Sequence, residues 1–208
     1  MRGDTNMTTP ISSEATQVAR PQRADARRNR ARILDAARGV LAEHGVEAGM
    51  DEIARRADLG VGTLYRHFPT KEALVDAIAS DHFAELAELA GRALEAEGTP
   101  GARFNEFMWS AARRTRADAA MAQVMAEQPQ VLDRVAGSKS ALTERVDELV
   151  RQAVASGELR PDATGADVPA IMCGLGSMVA MERVKPGVGW ERYLTIALDG
   201  LRHGAPGA

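Results

Sequence analysis

Between Met50 and Pro69 the chain has room for only two short helices and the sharp turn that joins them. Ile53, Ala54 and Ala57 recur at helical spacing, Asp58-Leu59-Gly60 interrupts them, and a second pattern runs from Val61 to His67 before Pro69 ends it. Ile53 and Ala57 pack against Leu64 and Phe68 across the turn, which sets the angle between the two helices. Upstream, Ile33, Leu34, Ala37, Val40 and Leu41 mark a longer amphipathic helix that starts near Ala24 and stops where Gly45 follows His44. Three helices in under fifty residues close around one small core. The third of them is left with an outward N-terminal half.

After this unit the segments lengthen but stay helical. Thr70 caps a fourth helix whose stripe is Val75, Ile78, His82, Leu86, Leu89 and Ala93. Gly98-Thr99-Pro100 ends it and opens a fifth helix reaching Arg116. A sixth is expected from Asp118 to Glu127, a seventh from Val131 to Ser156, an eighth from Asp167 to Val184 and a ninth from Gly189 to His203. Only 4% of the 208 residues are aromatic, while Ala, Leu, Arg and Glu abound, a mixture that favours helix over strand. The expectation is an all-α fold of about nine helices: a polar, disordered tail over 1–22 containing Pro10 and Pro21, a three-helix head over 23–70, and a helical body over 71–208.

Charge is distributed unevenly. The formal net charge of −3 disfavours a nucleic-acid partner, but residues 1–72 hold 12 Lys and Arg against 10 acids, and 73–208 hold 14 against 19. Arg20, Arg23, Arg27, Arg28, Arg30 and Arg32 crowd one stretch with Asp25 as its lone acid. That is either a phosphate-seeking end or a well-solvated helix start. Cys173 is the single cysteine, which excludes an intrachain disulfide and a CxxC site. The charge-free run from Val168 to Met181 is too short to span a bilayer, so a cytoplasmic protein is expected.

The residues exposed by the helix-turn-helix suit a DNA groove. Val61 can meet thymine methyls, Gly62 lets the backbone come close, and Thr63, Tyr65, His67 and Lys71 offer donors to phosphates. Lys71 opposes the dipole at the start of its helix, a placement that structure alone does not favour. Tyr65 has a second reading as packing against the first helix, and His67 as a cap on the third.

The run Gly62-Thr63-Leu64-Tyr65-Arg66-His67-Phe68-Pro69-Thr70-Lys71-Glu72-Ala73-Leu74, together with Asp51 to Ala57, closely resembles the DNA-binding domain of TetR-family transcriptional regulators. The resemblance covers about 28–75. It implies a homodimer that binds a palindromic double-stranded operator through its heads and releases it when a small molecule enters the body. By position, Tyr65, His67 and Lys71 become phosphate contacts, Thr63 a phosphate or base contact, and Val61 and Gly62 the base-reading surface. Arg27, Arg28 and Arg30 reach the backbone or the adjacent minor groove. Gly49 and Gly60 depart from the family's hydroxyl caps, and Asp58 stands where relatives commonly have Gly.

In the body, Phe104, Phe107, Met108, Trp109, Met121, Met125, Met172 and Met178 are either plain core or the walls of an adaptable apolar pocket. His82, on an apolar stripe, needs a polar partner; it is a satisfied core histidine or a residue that orients a ligand. No second His or Cys stands at metal-ligand spacing, and neither a metal nor another cofactor is expected. The eighth and ninth helices are apolar on more than one side, which suits a four-helix dimer interface from Ala170, Gly174, Ser177, Met181, Tyr193, Leu194, Ala197 and Leu201, or a helix buried within a monomer. A repressor without enzymatic activity is the primary reading. An all-helical small-molecule carrier or enzyme without DNA binding is the alternative, though no nucleophile elbow, paired-histidine motif or Gly-rich phosphate loop supports it.

Overall fold

Helix boundaries in this chain follow its glycines, prolines and short polar side chains. A computed structural model describes residues 14–182 and 189–203, with side chains from 24 to 176 and from 189 to 202. Its regular structure, among the described residues, is entirely helical: α1 (Glu14–His44), α2 (Met50–Arg56), α3 (Val61–His67), α4 (Lys71–Glu95), α5 (Pro100–Ala117), α6 (Ala119–Glu127), α7 (Val131–Arg134), α8 (Ala136–Ala155), α9 (Asp167–Glu182) and α10 (Trp190–His203). Gly45 ends α1 at φ 74°, a left-handed backbone that suits glycine. Thr70 caps α4 by accepting the Ala73 N–H, Thr99 caps α5 through Ala102, and Asp118 caps α6 through Met121.

Two boundaries differ from expectation. α1 begins at Glu14, so 14–22 are helical rather than tail; their polar sequence carries no apolar periodicity from which a helix could be read. The segment expected as one seventh helix divides at Val135 (φ −99°, ψ 19°), whose side chain is buried, giving α7 and α8 and ten helices among the described residues instead of about nine.

Two apolar clusters organise the packing. The first joins Ile33, Ala37, Val40 and Leu41 of α1 to Ile53 of α2, Leu64 of α3, Phe68, and Leu74, Val75 and Ile78 of α4. It also takes in Met121 and Val124 of α6, Val131 of α7 and Val135, so apolar packing runs continuously across the 70/71 boundary expected between head and body. The second cluster joins Leu86 and Ala90 of α4 to Phe104, Phe107 and Met108 of α5, Leu149 and Val150 of α8, Leu175 of α9, and Trp190, Leu194 and Leu198 of α10. Helix α4 supplies both clusters, and the partly buried Phe83 lies against each.

Candidate nucleic-acid interface

The turn between α2 and α3 is built from backbone hydrogen bonds and one strained residue. Asp58 takes φ 51°, the single non-glycine residue with positive φ among those described. Its N–H donates to Arg55 O at 3.1 Å, and the Leu59 N–H donates to Ala54 O at 3.0 Å. Gly49 and Gly60 cap α2 and α3 in extended conformation with no side-chain hydrogen bond. Leu64, fully buried, pins α3 to the first cluster, and Phe68 caps its far end.

Pinned by Leu64, α3 turns its other side to solvent. Val61 is 38% exposed and Tyr65 45%, both large values for apolar or aromatic side chains. Among the described residues, nothing beyond the adjoining residues and the backbone of α3 itself lies within 4 Å of where a Cβ would sit on Gly62, so the helix surface there is open to a close approach. Thr63, His67 and Lys71 are half-buried beside them, and Thr63 Oγ1 accepts a hydrogen bond from Arg66 at 3.0 Å. Arg66, exposed on the same short helix, is not among the expected contacts. The face therefore combines an apolar tip, an open glycine and donors at its edge. Such a surface can enter a major groove and touch the flanking phosphates.

The α1 arginines divide into two sets. Arg27, Arg28, Arg30 and Arg32 are all exposed, but Arg28 pairs with Asp25 one turn away on α1 itself. Arg30 instead lies over the Phe68 ring, 5.3 Å from its centroid, and Arg32 donates to Asp58.

The expected pocket residues do not share one site. Met121 and Met125 belong to the first cluster, whereas Phe104, Phe107, Met108, Trp109 and Met172 belong to or pack on the second. His82 is buried with Asp118, its Nδ1 3.1 Å from Oδ2. Arg38 of α1 and Arg114 of α5 reach the same oxygen at 3.0 and 3.2 Å, while Oδ1 accepts the Met121 N–H at 2.9 Å. Burial alone would push the Asp118 carboxyl up, but His82, the Met121 N–H and Arg38 together outweigh it and bring it down to about 2. The sequence shows Asp118 only as a helix start; the structure makes it the joint of four helices. Met178 lies outside the described side chains. An open cleft of about 330 Å³ between α4 and α5 is walled by Glu85, Glu88, Arg92, Ser110, Arg113 and Arg114 with Leu89, and by none of the residues expected to line a pocket.

The expected dimer residues also separate. Leu194 is fully buried in its own chain's core, and Leu201 packs partly on that core. Tyr193 fills the space over Gly174 and donates through its hydroxyl to Ile171 O at 3.2 Å, so that glycine admits α10 of the same chain. Gly174, Tyr193 and Leu194, expected at a subunit contact, thus also make contacts within their own chain. Ala170 is exposed and Ala197 half-exposed, joined by Ile196 at 58% exposure, which the sequence reading had not assigned to the interface. Ser177 and Met181 lie outside the described side chains.

A short helix seated by one buried leucine, entered through a tight turn and presenting an open polar-apolar face, defines a helix-turn-helix DNA-binding protein. Comparison with known proteins agrees. Residues 33–78 match the model for bacterial regulatory proteins of the tetR family, and 99–203 match that for the C-terminal domain of SbtR-like transcriptional regulators. The transcriptional repressor KstR of Mycobacterium tuberculosis is 32% identical over 65% of this chain and 63% of its own length, and the regulator UidR of Escherichia coli is 31% identical over 73% and 79%. The chain thus spans just under two thirds of that KstR. The crystal structure of a TetR regulatory protein from Mycobacterium vanbaalenii is 36% identical, with TM-score 0.63 over 88% of this chain and 99% of that one. FadR of Bacillus subtilis shares the fold at TM-score 0.71 and 17% identity, over 84% of this chain and 98% of its own. The chain belongs to the TetR family of transcriptional regulators. Among the described residues no helix is long and apolar enough to cross a membrane.

Proposed function

We propose that the protein is a cytoplasmic homodimeric repressor that binds a palindromic operator and leaves it when a small apolar molecule enters the body. The observation that carries the DNA reading is the outward face of α3, with Val61 and Tyr65 exposed and Gly62 open, on a chain of this family. Repression follows the named role of the KstR relatives. The effector site is assigned to the second cluster, where Met108 and Met172, unbranched and soft, lie near Phe104, Phe107 and Trp109 and repack readily around a guest. Buried in hydrogen-bond reach of Asp118, His82 takes the role of a satisfied core histidine.

The outward surface of α9 and α10, with Ala170, Ala197 and Ile196, is proposed as the subunit contact. Two heads joined there would have to place their α3 helices about one DNA turn apart, roughly 34–36 Å, so modest rotations of the body suffice to weaken binding. Selection of random duplexes on the purified protein tests the proposal. Enrichment of a palindrome, with affinity falling steeply as salt rises, is the expected result. Failure to enrich any duplex would sink the regulator reading and leave the carrier alternative.

A further inference from the structure

We infer that Arg32 and Arg30 of α1 are positioning residues for the recognition helix α3, gripping the chain just before and just after it. The inference rests on the DNA-binding reading above. In sequence both arginines belong to the basic run whose simplest use is phosphate contact. In the fold each has a partner within its own chain.

Arg32 Nη2 lies 3.1 Å from the Asp58 carbonyl oxygen and 3.1 Å from Asp58 Oδ2. Asp58 is the turn residue at φ 51°. A left-handed aspartate persists where its surroundings hold it, and a guanidinium that engages both its backbone and its carboxylate does so. That hold has a use two residues later. Gly60 caps α3 through its carbonyl, which accepts the Thr63 and Leu64 N–H groups, but has no side chain to hold the direction in which α3 sets off. Tethering Asp58 to α1 supplies the missing restraint.

At the other end Phe68, 4% exposed, is the C-cap of α3, and the Arg30 guanidinium covers its ring face at 5.3 Å. A cation over a ring is attracted to it and shields it from water. Between the two grips sits the fully buried Leu64. One apolar contact fixes the depth of α3, and the two flanking arginines fix its tilt. Tilt decides which base edges Val61 and Gly62 meet, so loss of a grip should blur discrimination between sequences more than it weakens attraction to DNA in general.

Four proteins test this: wild type, Arg32→Gln, Asp58→Asn and the double variant. Asn tolerates the left-handed backbone, so the turn is expected to fold, with circular-dichroism melts as the check. Affinity is measured for the duplex enriched by wild type and for a scrambled duplex of equal length, each over a salt series. Because Arg32 and Asp58 are 46% and 97% exposed, the expected effect is modest. Each single variant should lose about threefold on the enriched duplex, within the range of an exposed ion pair. It should keep its affinity for the scrambled duplex and its salt slope, and the double should be no worse than the poorer single. Arg32→Lys should recover part of the loss.

A phosphate contact gives the opposite pattern. Arg32→Gln would then weaken both duplexes alike and lower the salt slope by about one, and Asp58→Asn would tighten binding by removing a negative charge. Either result overturns the inference, as does unchanged discrimination in both single variants. Phe68→Leu, which keeps the apolar cap and removes the ring face, should reproduce the loss of discrimination at the other end; unaltered discrimination there removes Arg30 from the assignment. Should wild type enrich no duplex, the regulator reading itself fails, and this inference with it.

Discussion

His82 Nδ1 and Asp118 Oδ2 stand 3.1 Å apart, 36 positions distant in sequence and both nearly closed to solvent. Around that pair α4 and α6 meet α1 through Arg38 and α5 through Arg114. Asp118→Asn keeps a capping side chain but leaves the three cationic or donor groups without their charge partner. Melting at pH 7 should show a loss of about 2 kcal/mol. The folded carboxyl sits at about 2, below the ordinary value of 3.8. Its stabilisation is therefore complete above about pH 4 and disappears as pH falls toward 2. The gap between wild type and Asp118→Asn should close across that window; a gap that stays constant down to pH 2 contradicts the assignment.

Tyr65→Phe removes one exposed hydroxyl and Lys71→Ala one cation at the start of α4. Each should lower operator affinity by about three- to tenfold, the range of a single contact. For Lys71→Ala the slope against log salt should also fall by about one. Because a cation is unfavourable at a helix N-terminus, the melting temperature of Lys71→Ala should hold or rise slightly. Normal operator binding by both variants would remove these residues from the interface.

Ile196 and Leu194 are neighbours on α10 with opposite surroundings, one 58% exposed and one fully buried. If the outward surface of α9 and α10 joins two subunits, Ile196→Asp should yield monomers by sedimentation. Leu194→Ala should instead cost about 2–5 kcal/mol of fold stability through the cavity it leaves. A dimer that survives Ile196→Asp places the subunit contact elsewhere.

Gly45 combines φ 74° with a Cβ position 2.8 Å from Glu127 Oε1, and Glu127 also accepts the Val46 N–H at 3.1 Å. Gly45→Ala should therefore destabilise by about 1–2 kcal/mol. Gly62→Ala, which meets open space, should leave the melting temperature nearly unchanged, and helix propensity favours it slightly. If the two alanines melt alike, the contact at Gly45 is not the restraint described.

The head was legible because local rules determine it: Pro69 and Thr70 set α3 and α4, and the turn expected at Asp58-Leu59-Gly60 is found with Asp58 at φ 51°. Long-range geometry was not. Nothing near Leu194 or Gly174 in sequence says whether the neighbour is the same chain's core or a second subunit, since both need an apolar or small residue. Likewise Met121 and Phe104 look equivalent as pocket residues until the fold sends them to different clusters. Arg30 and Arg32 read as part of one basic patch because charge is visible in sequence and partnership is not.

The first apolar cluster has a consequence for rebuilding such proteins. Since Met121, Val124, Val131 and Val135 finish the floor beneath α1, the operator-reading end is not a detachable cassette. A chimaera that grafts residues up to 70 onto a foreign body would carry a floor with missing boards. A faithful transplant has to bring the matching sides of α4, α6 and α7, and the same demand limits where recombination can exchange one specificity for another.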